Sequence, residues 1–208
     1  MSEQTIRLEF PELVFKSESH TYWLNGSRIP GVSELMHPLS ESMYRGIDAG
    51  MLDAAAARGS AVHEAIENFA KYGIEDCEPE HRGYFDGFMK WAKENLVEVV
   101  ASEVMVYNQT YRYAGTIDLI CNVRGEQWLI DVKTTAQLNE MLTGVQISAY
   151  GAALASQGVK IDRKAVLHLK KNGRYQIHIA DKAKDAEAWT TFGALMTVYS
   201  HIQKFKKG

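Results

Sequence analysis

Between Tyr113 and Thr135 the chain carries two apolar runs, one through Ile117, Leu119 and Ile120 and one through Trp128, Leu129, Ile130 and Val132. Arg124-Gly125-Glu126 separates them, and the pattern predicts two strands joined by a tight turn. Upstream, residues 6–10 and 12–16 are β-leaning and broken by Pro11. Tyr22-Trp23-Leu24 and Arg28-Ile29 flank Asn25-Gly26, the signature of a hairpin with a type I′ turn. Ser33 is a candidate N-cap for a short helix. Residues 37–50 contain Pro38, Gly46 and Gly50 and are expected to be irregular, or a short helix between loops.

Helical periodicity governs much of the remainder. An alanine-rich helix is expected over Leu52 to Tyr72 and stops at Gly73. A second, over His81 to Asn95, carries an aromatic stripe of Tyr84, Phe85, Phe88 and Trp91. Glu103 to Tyr107 reads as a strand, followed by a turn over Asn108 to Arg112. Ala136 to Ser156 reads as a third helix closed by Gly158. Ala165 to Lys171 and Arg174 to Ala180 make a hairpin about Asn172-Gly173. Residues 183–205 form a last amphipathic helix, with Lys204, Lys206 and Lys207 at its C-terminal end. This order predicts an α/β fold with a central mixed sheet flanked by helices. No repeat or linker divides the chain, so residues 1–208 are expected to form one domain, with 1–50 as a β-rich or irregular extension of its core.

Composition narrows the class. The chain has 208 residues, 46% of them hydrophobic and 24% charged, which are ordinary globular values. The net charge of −3 gives no overall basic field, so a nucleic-acid binder would depend on a local patch. The two cysteines, Cys77 and Cys121, are too few for a zinc or iron–sulfur site. No apolar leader or long apolar run is present, which points to a cytoplasmic protein without a membrane partner.

The chemistry concentrates in the central hairpin, where Asp118, Asp131 and Lys133 interrupt apolar strands. Alternation puts Asp131 and Lys133 on one face and Val132 on the other. Two carboxylates on neighbouring strands can hold magnesium or manganese. Lys133 can then orient or help deprotonate a water, or stabilise charge on a phosphorane. A partly buried aspartate–lysine ion pair fits the same three residues. His63 and Glu67 lie four apart on one helical face, where His63 can add a nitrogen ligand and Glu67 can bond a water or the imidazole. A surface i,i+4 pair explains them equally simply. Glu64 points away from His63. Gln146 and Tyr150, also four apart, can bond phosphate or stack on a base, or pack in the core. Thr134 and Thr135 can bond phosphate oxygens or cap a helix. Glu103 is either a third acid or a strand-edge charge.

Taken in order, Gly59-x-x-x-His63-x-x-x-Glu67, Gly115-Thr116-Ile117-Asp118, Asp131-Val132-Lys133 and Gln146-x-x-x-Tyr150 resemble the PD-(D/E)XK nuclease superfamily, and within it the RecB-like, phage-type exonuclease branch. The resemblance spans roughly Arg58 to Tyr150. It implies a restriction-endonuclease-like core with a central sheet of about four strands. It implies Asp118, Asp131, His63 and the Val132 carbonyl as ligands of Mg2+ or Mn2+, and Lys133 as the catalytic lysine. Glu67 would support the metal site, and Gln146, Tyr150, Thr134 and Thr135 would face substrate. The implied activity is metal-dependent DNA cleavage, exonuclease more than endonuclease, on DNA ends in replication, recombination or end processing. Replication or recombination proteins are its implied partners. A non-catalytic nucleic-acid-binding or interaction module on the same fold is the alternative.

Overall fold

The computed structural model describes residues 8–206. Residues 6 and 7 of the first β-leaning run, and Lys207, lie outside them. Strands β1 (Leu13–Lys16), β2 (Thr21–Leu24) and β3 (Ser27–Ile29) form a small antiparallel sheet. Asn25 and Gly26 both take positive φ, 49° and 76°, so the β2–β3 turn is of the primed kind that Asn-Gly favours. Helices α1 (Val32–Met43), α2 (Ala49–Tyr72) and α3 (Arg82–Asn95) follow. Then come β4 (Val97–Asn108), β5 (Tyr113–Val123), β6 (Glu126–Lys133), α4 (Glu140–Ser156), β7 (Arg163–Leu169), β8 (Tyr175–Ile179) and α5 (Lys182–Lys206).

Strands β4 to β8 make a five-stranded sheet in chain order. Only β6 and β7 run parallel, because α4 carries the chain back between them. One face of the sheet packs under α1, α4 and α5 through residues such as Leu35, Val145, Leu154 and Phe192. The other packs under α2 and α3 through Val62, Ile66, Phe85, Phe88 and Trp91. Residues of β5 and β6 feed both layers, Ile120 and Leu129 on the first, Leu119 and Ile130 on the second. This is the α/β class with a mixed sheet between helical layers, one strand wider than the four expected.

Four local expectations change. The first helix is capped at Gly31, not Ser33, because the Glu34 carboxylate turns back to accept the Gly31 N–H. The same carboxylate holds Arg28 at 2.9 Å and Tyr199 at 2.8 Å. That helix also runs through Pro38, well past the expected break, because Val32, Leu35 and Met36 bury its first turns. The strand expected at 103–107 begins at Val97, since Val97 and Val99 find apolar partners under α3. The helix expected from Ala136 starts at Glu140, where Asn139 accepts the Leu142 N–H at 3.0 Å. Thr134 and Thr135 therefore lie in a loop and cap nothing.

The α3 layer sits on backbone. A Cβ added at Gly83 would stand 1.8 Å from the Lys171 carbonyl oxygen in the β7–β8 turn. Gly83→Ala is expected to destabilise the protein by about 1–3 kcal/mol or more, as overpacking does. Urea unfolding followed by tryptophan fluorescence checks this, Trp91 lying in that layer.

Candidate active site

Strand β4 is bent before it reaches the site. Val99 and Ala101 pair with the consecutive residues Cys121 and Ile120, so Val100 is an inserted bulge. Beyond it the register places Glu103 opposite Asp118, between the Ser102–Leu119 and Val104–Ile117 pairs. Glu103 has a φ of 50°, a left-handed conformation that costs a non-glycine residue about 1–3 kcal/mol and persists where its surroundings enforce it.

The pairing of β5 with β6 stops at Leu119–Ile130. One step further lie Asp118 and Asp131, and there the sheet opens. The Asp118 Oδ2 takes the Val132 N–H at 2.6 Å, filling the place of a ladder bond. Into this opening α2 delivers His63. Its Nε2 bonds the Val132 carbonyl at 3.0 Å. That bond assigns the proton to Nε2 and leaves Nδ1 as the lone-pair nitrogen of the neutral ring. Nδ1 stands 3.6 Å from Asp118 Oδ1 and 4.0 Å from Glu103 Oε1. Among the described residues, one ligand atom each from His63, Glu103 and Asp118 lie within 4.8 Å of one another.

Asp131 is buried at 1% exposure, and Lys133 Nζ lies 2.8 Å from its Oδ1 and 2.7 Å from its Oδ2. Burial lifts the Asp131 carboxyl to about 6 against the pull of that ammonium. Burial alone would lower Lys133, but Asp131 and Asp118 outweigh it and raise the amine above its usual range. Lys133 is thus held as a cation beside the two carboxylates. Burial and the neighbouring Asp118 lift Glu103 to about 7, with His63 pulling the other way.

The remaining residues form the walls. Glu67 lies beside His63 and Glu103 at the recess and pairs with Lys71. Glu64 is exposed. Gln146 donates to the Tyr150 hydroxyl at 3.0 Å, and Tyr150 is buried, its phenol pushed well up by burial and by Asp131. Its ring covers Gly115, where an added Cβ would meet Tyr150 Cε1 at 2.5 Å. Thr134 is buried and lies 3.9 Å from the position of a Gly59 Cβ, so α2 approaches the loop closely there. The Thr135 carbonyl receives His168 Nε2 at 2.6 Å, while Thr135 Oγ1 is buried without a partner. Of the aromatic residues near the hairpin, Tyr22 and Tyr113 are core, Tyr22 bonding Thr116 and Tyr113 bonding the Ala149 carbonyl. The hairpin and its two flanking helices thus meet at one opening in the sheet. Glu103 was the undecided residue, and counting back from the Asn108–Tyr113 pair brings it opposite Asp118.

A family model described as the PD-(D/E)XK nuclease superfamily matches residues 81–195, more than half the chain. The chain belongs to the PD-(D/E)XK nuclease superfamily. The match spans Glu103, Asp118, Asp131, Lys133, Gln146 and Tyr150, while His63 and Glu67 lie ahead of it. No curated protein sequence matches the chain. Similar solved structures include SSO0001, 15% identical with a TM-score of 0.39, over 79% of this chain and 74% of that one. Also similar is an alkaline exonuclease (LHK-Exo) from Laribacter hongkongensis, 12% identical with a TM-score of 0.41, over 85% and 91%. The same exonuclease in complex with dAMP is 13% identical with a TM-score of 0.39, over 86% and 92%.

Nucleases of this superfamily use divalent metal ions. The donors present fit such an ion: two carboxylates and a bare imidazole nitrogen, pre-gathered in a recess where one of the acids is held above its usual pKa. Among the described residues no helix is long and apolar enough to cross a membrane.

Proposed function

We propose that this nuclease is a divalent-metal-dependent deoxyribonuclease that degrades DNA from its ends, of the RecB-like exonuclease branch. The observation that carries the reading is the grouping of His63 Nδ1, Glu103 and Asp118 beside a lysine fixed by Asp131. His63, Glu103 and Asp118 would hold Mg2+ or Mn2+. Asp131 would join them through a carboxylate oxygen, sharing its charge between the cation and the Lys133 ammonium. The Val132 carbonyl, already bonded by His63, would serve mainly to fix the imidazole. A cation bound there would supply Lewis-acid polarisation of the scissile phosphate.

The chain's own residues do the rest. Lys133 carries its charge to the phosphate oxygens that become more negative as water attacks in line, while it also neutralises buried Asp131. Asp131 keeps that ammonium in place. Glu67 lies where it would bond water beside the metal ligands, with Lys71 holding its carboxylate. Gln146 and Tyr150 set the wall on the α4 side, while Thr134 and the Thr135 hydroxyl are buried in the loop that leaves Lys133. Residues 1–208 would act as one nuclease domain. The small sheet is tied to the catalytic strand by Tyr22 and Thr116 at 3.0 Å.

Digestion of end-labelled linear DNA and of covalently closed circles, with Mg2+, Mn2+ or EDTA, tests this reading. Metal-dependent release of label from the linear form, with closed circles spared, is the expected result. Rapid cutting of closed circles would make the enzyme an endonuclease. Folded protein that binds DNA and cuts neither form would leave the non-catalytic binding module.

A further inference from the structure

Away from the metal site, the β4–β5 turn, the start of α1 and the end of α5 enclose a second cleft of about 360 Å³. Its polar lining is Tyr111, Arg112, Tyr199, Ser200, Gln203 and Lys204, two cations with no acid. Neither Arg112 nor Lys204 has an ion pair or a side-chain hydrogen bond among the described residues. Glu34, next to the lining residue Leu35, is already taken: it bonds Arg28 at 2.9 Å and the Tyr199 hydroxyl at 2.8 Å. Tyr111 is 55% exposed, its edge supported on Trp189 at a ring separation of 5.5 Å. Two uncompensated cations, hydroxyl and amide donors, and a supported exposed ring are the elements of a site for a nucleic-acid strand, phosphates on the charges and a base on the ring.

Its placement suits a strand that also reaches the metal site. Arg112, in the turn just before β5, precedes Asp118 by six residues, which is about 20 Å of extended chain. At about 3.4 Å per phosphate along one strand, that is a handful of nucleotides.

We propose that the Tyr111, Arg112 and Lys204 cleft is a second contact for the DNA strand being degraded, binding its sugar–phosphate backbone some nucleotides from the scissile bond. This rests on the nuclease reading for the identity of the ligand.

The test is fluorescence anisotropy of a short labelled single strand against the full chain in EDTA over a range of salt. The proteins compared are wild type, the Arg112→Ala/Lys204→Ala pair and Tyr111→Ala. Loss of two phosphate contacts is expected to flatten the plot of log affinity against log salt by about 1.4, at about 0.7 per contact. Tyr111→Ala is expected to weaken binding roughly 5- to 100-fold with the slope unchanged, the worth of one stacked base. In metal, the charge variant should show a raised KM with kcat intact. Because the binding assay contains no metal, a protein that never cuts can still pass it. Unchanged affinity and slope in the charge variant would overturn the second contact while leaving the nuclease reading standing. Displacement of the strand by polyglutamate as readily as by unlabelled DNA would also overturn it, in favour of an acidic polypeptide.

Discussion

Lys133→Met is expected to lower the rate of DNA cleavage by about 10²- to 10³-fold, the usual loss when one preorganised stabiliser of developing charge is removed. The residue is suited to that role because its partners hold it in place as a cation. Asp131 fixes its amine from 2.7 and 2.8 Å, and two carboxylates hold its proton. The variant also leaves Asp131 buried without its counter-ion, and removing one partner of a buried pair typically costs about 3–5 kcal/mol. A melting curve must therefore accompany the kinetics. Lys133→Met/Asp131→Asn relieves the stranded charge and is expected to recover stability without recovering rate. DNA binding in EDTA should change little in either variant. A Lys133→Met protein that cuts at the wild-type rate would remove the lysine from the mechanism.

Glu103→Gln is expected to weaken manganese binding by about 10- to 100-fold, the range seen when groups that support a metal site are removed. It should also change how binding depends on pH. With the Glu103 carboxyl at about 7, a cation must displace its proton in acid solution. Wild-type affinity should then fall as pH drops below about 7, and the glutamine variant should lose that dependence. Stability in EDTA follows the same group. The folded pKa of about 7 exceeds the usual 4.5, so the folded state binds the proton more tightly than the unfolded chain does. Stability should therefore decline as pH rises from about 4.5 through 7 and then level off. Manganese should reverse the decline, and Glu103→Gln should leave only the part below about pH 6 that the raised Asp131 carboxyl contributes. Isothermal calorimetry and thermal melts between pH 5 and 8 provide the readings, and a melting temperature that climbs across that window in EDTA would contradict the assignment.

Much of this site was legible in the chain itself. Period-two alternation placed Asp131 and Lys133 together on one face, and their 2.7 Å contact is the physical result. Helical spacing brought His63 and Glu67 to one side of α2, and both reach the recess. Glu103 stayed ambiguous because a bulge at Val100 and a left-handed backbone at Glu103 obscure the strand pattern, although the hairpin register past Asn108 points to it. The direction of His63 was not readable either. It depends on the opening between β5 and β6 and on the Val132 carbonyl that becomes available there. Helix starts were the weakest readings, since Gly31 and Asn139 won as caps through contacts with Glu34 and Leu142 rather than through helix-forming composition.

Anomalous diffraction from a manganese-soaked crystal of the protein with a short DNA strand tests the central claim most directly. A manganese peak in coordination contact with His63 Nδ1, Glu103 and Asp118, with Lys133 Nζ on the phosphate beside it, is the predicted result. Absence of any bound cation between these residues in protein that nevertheless degrades DNA in manganese would contradict it.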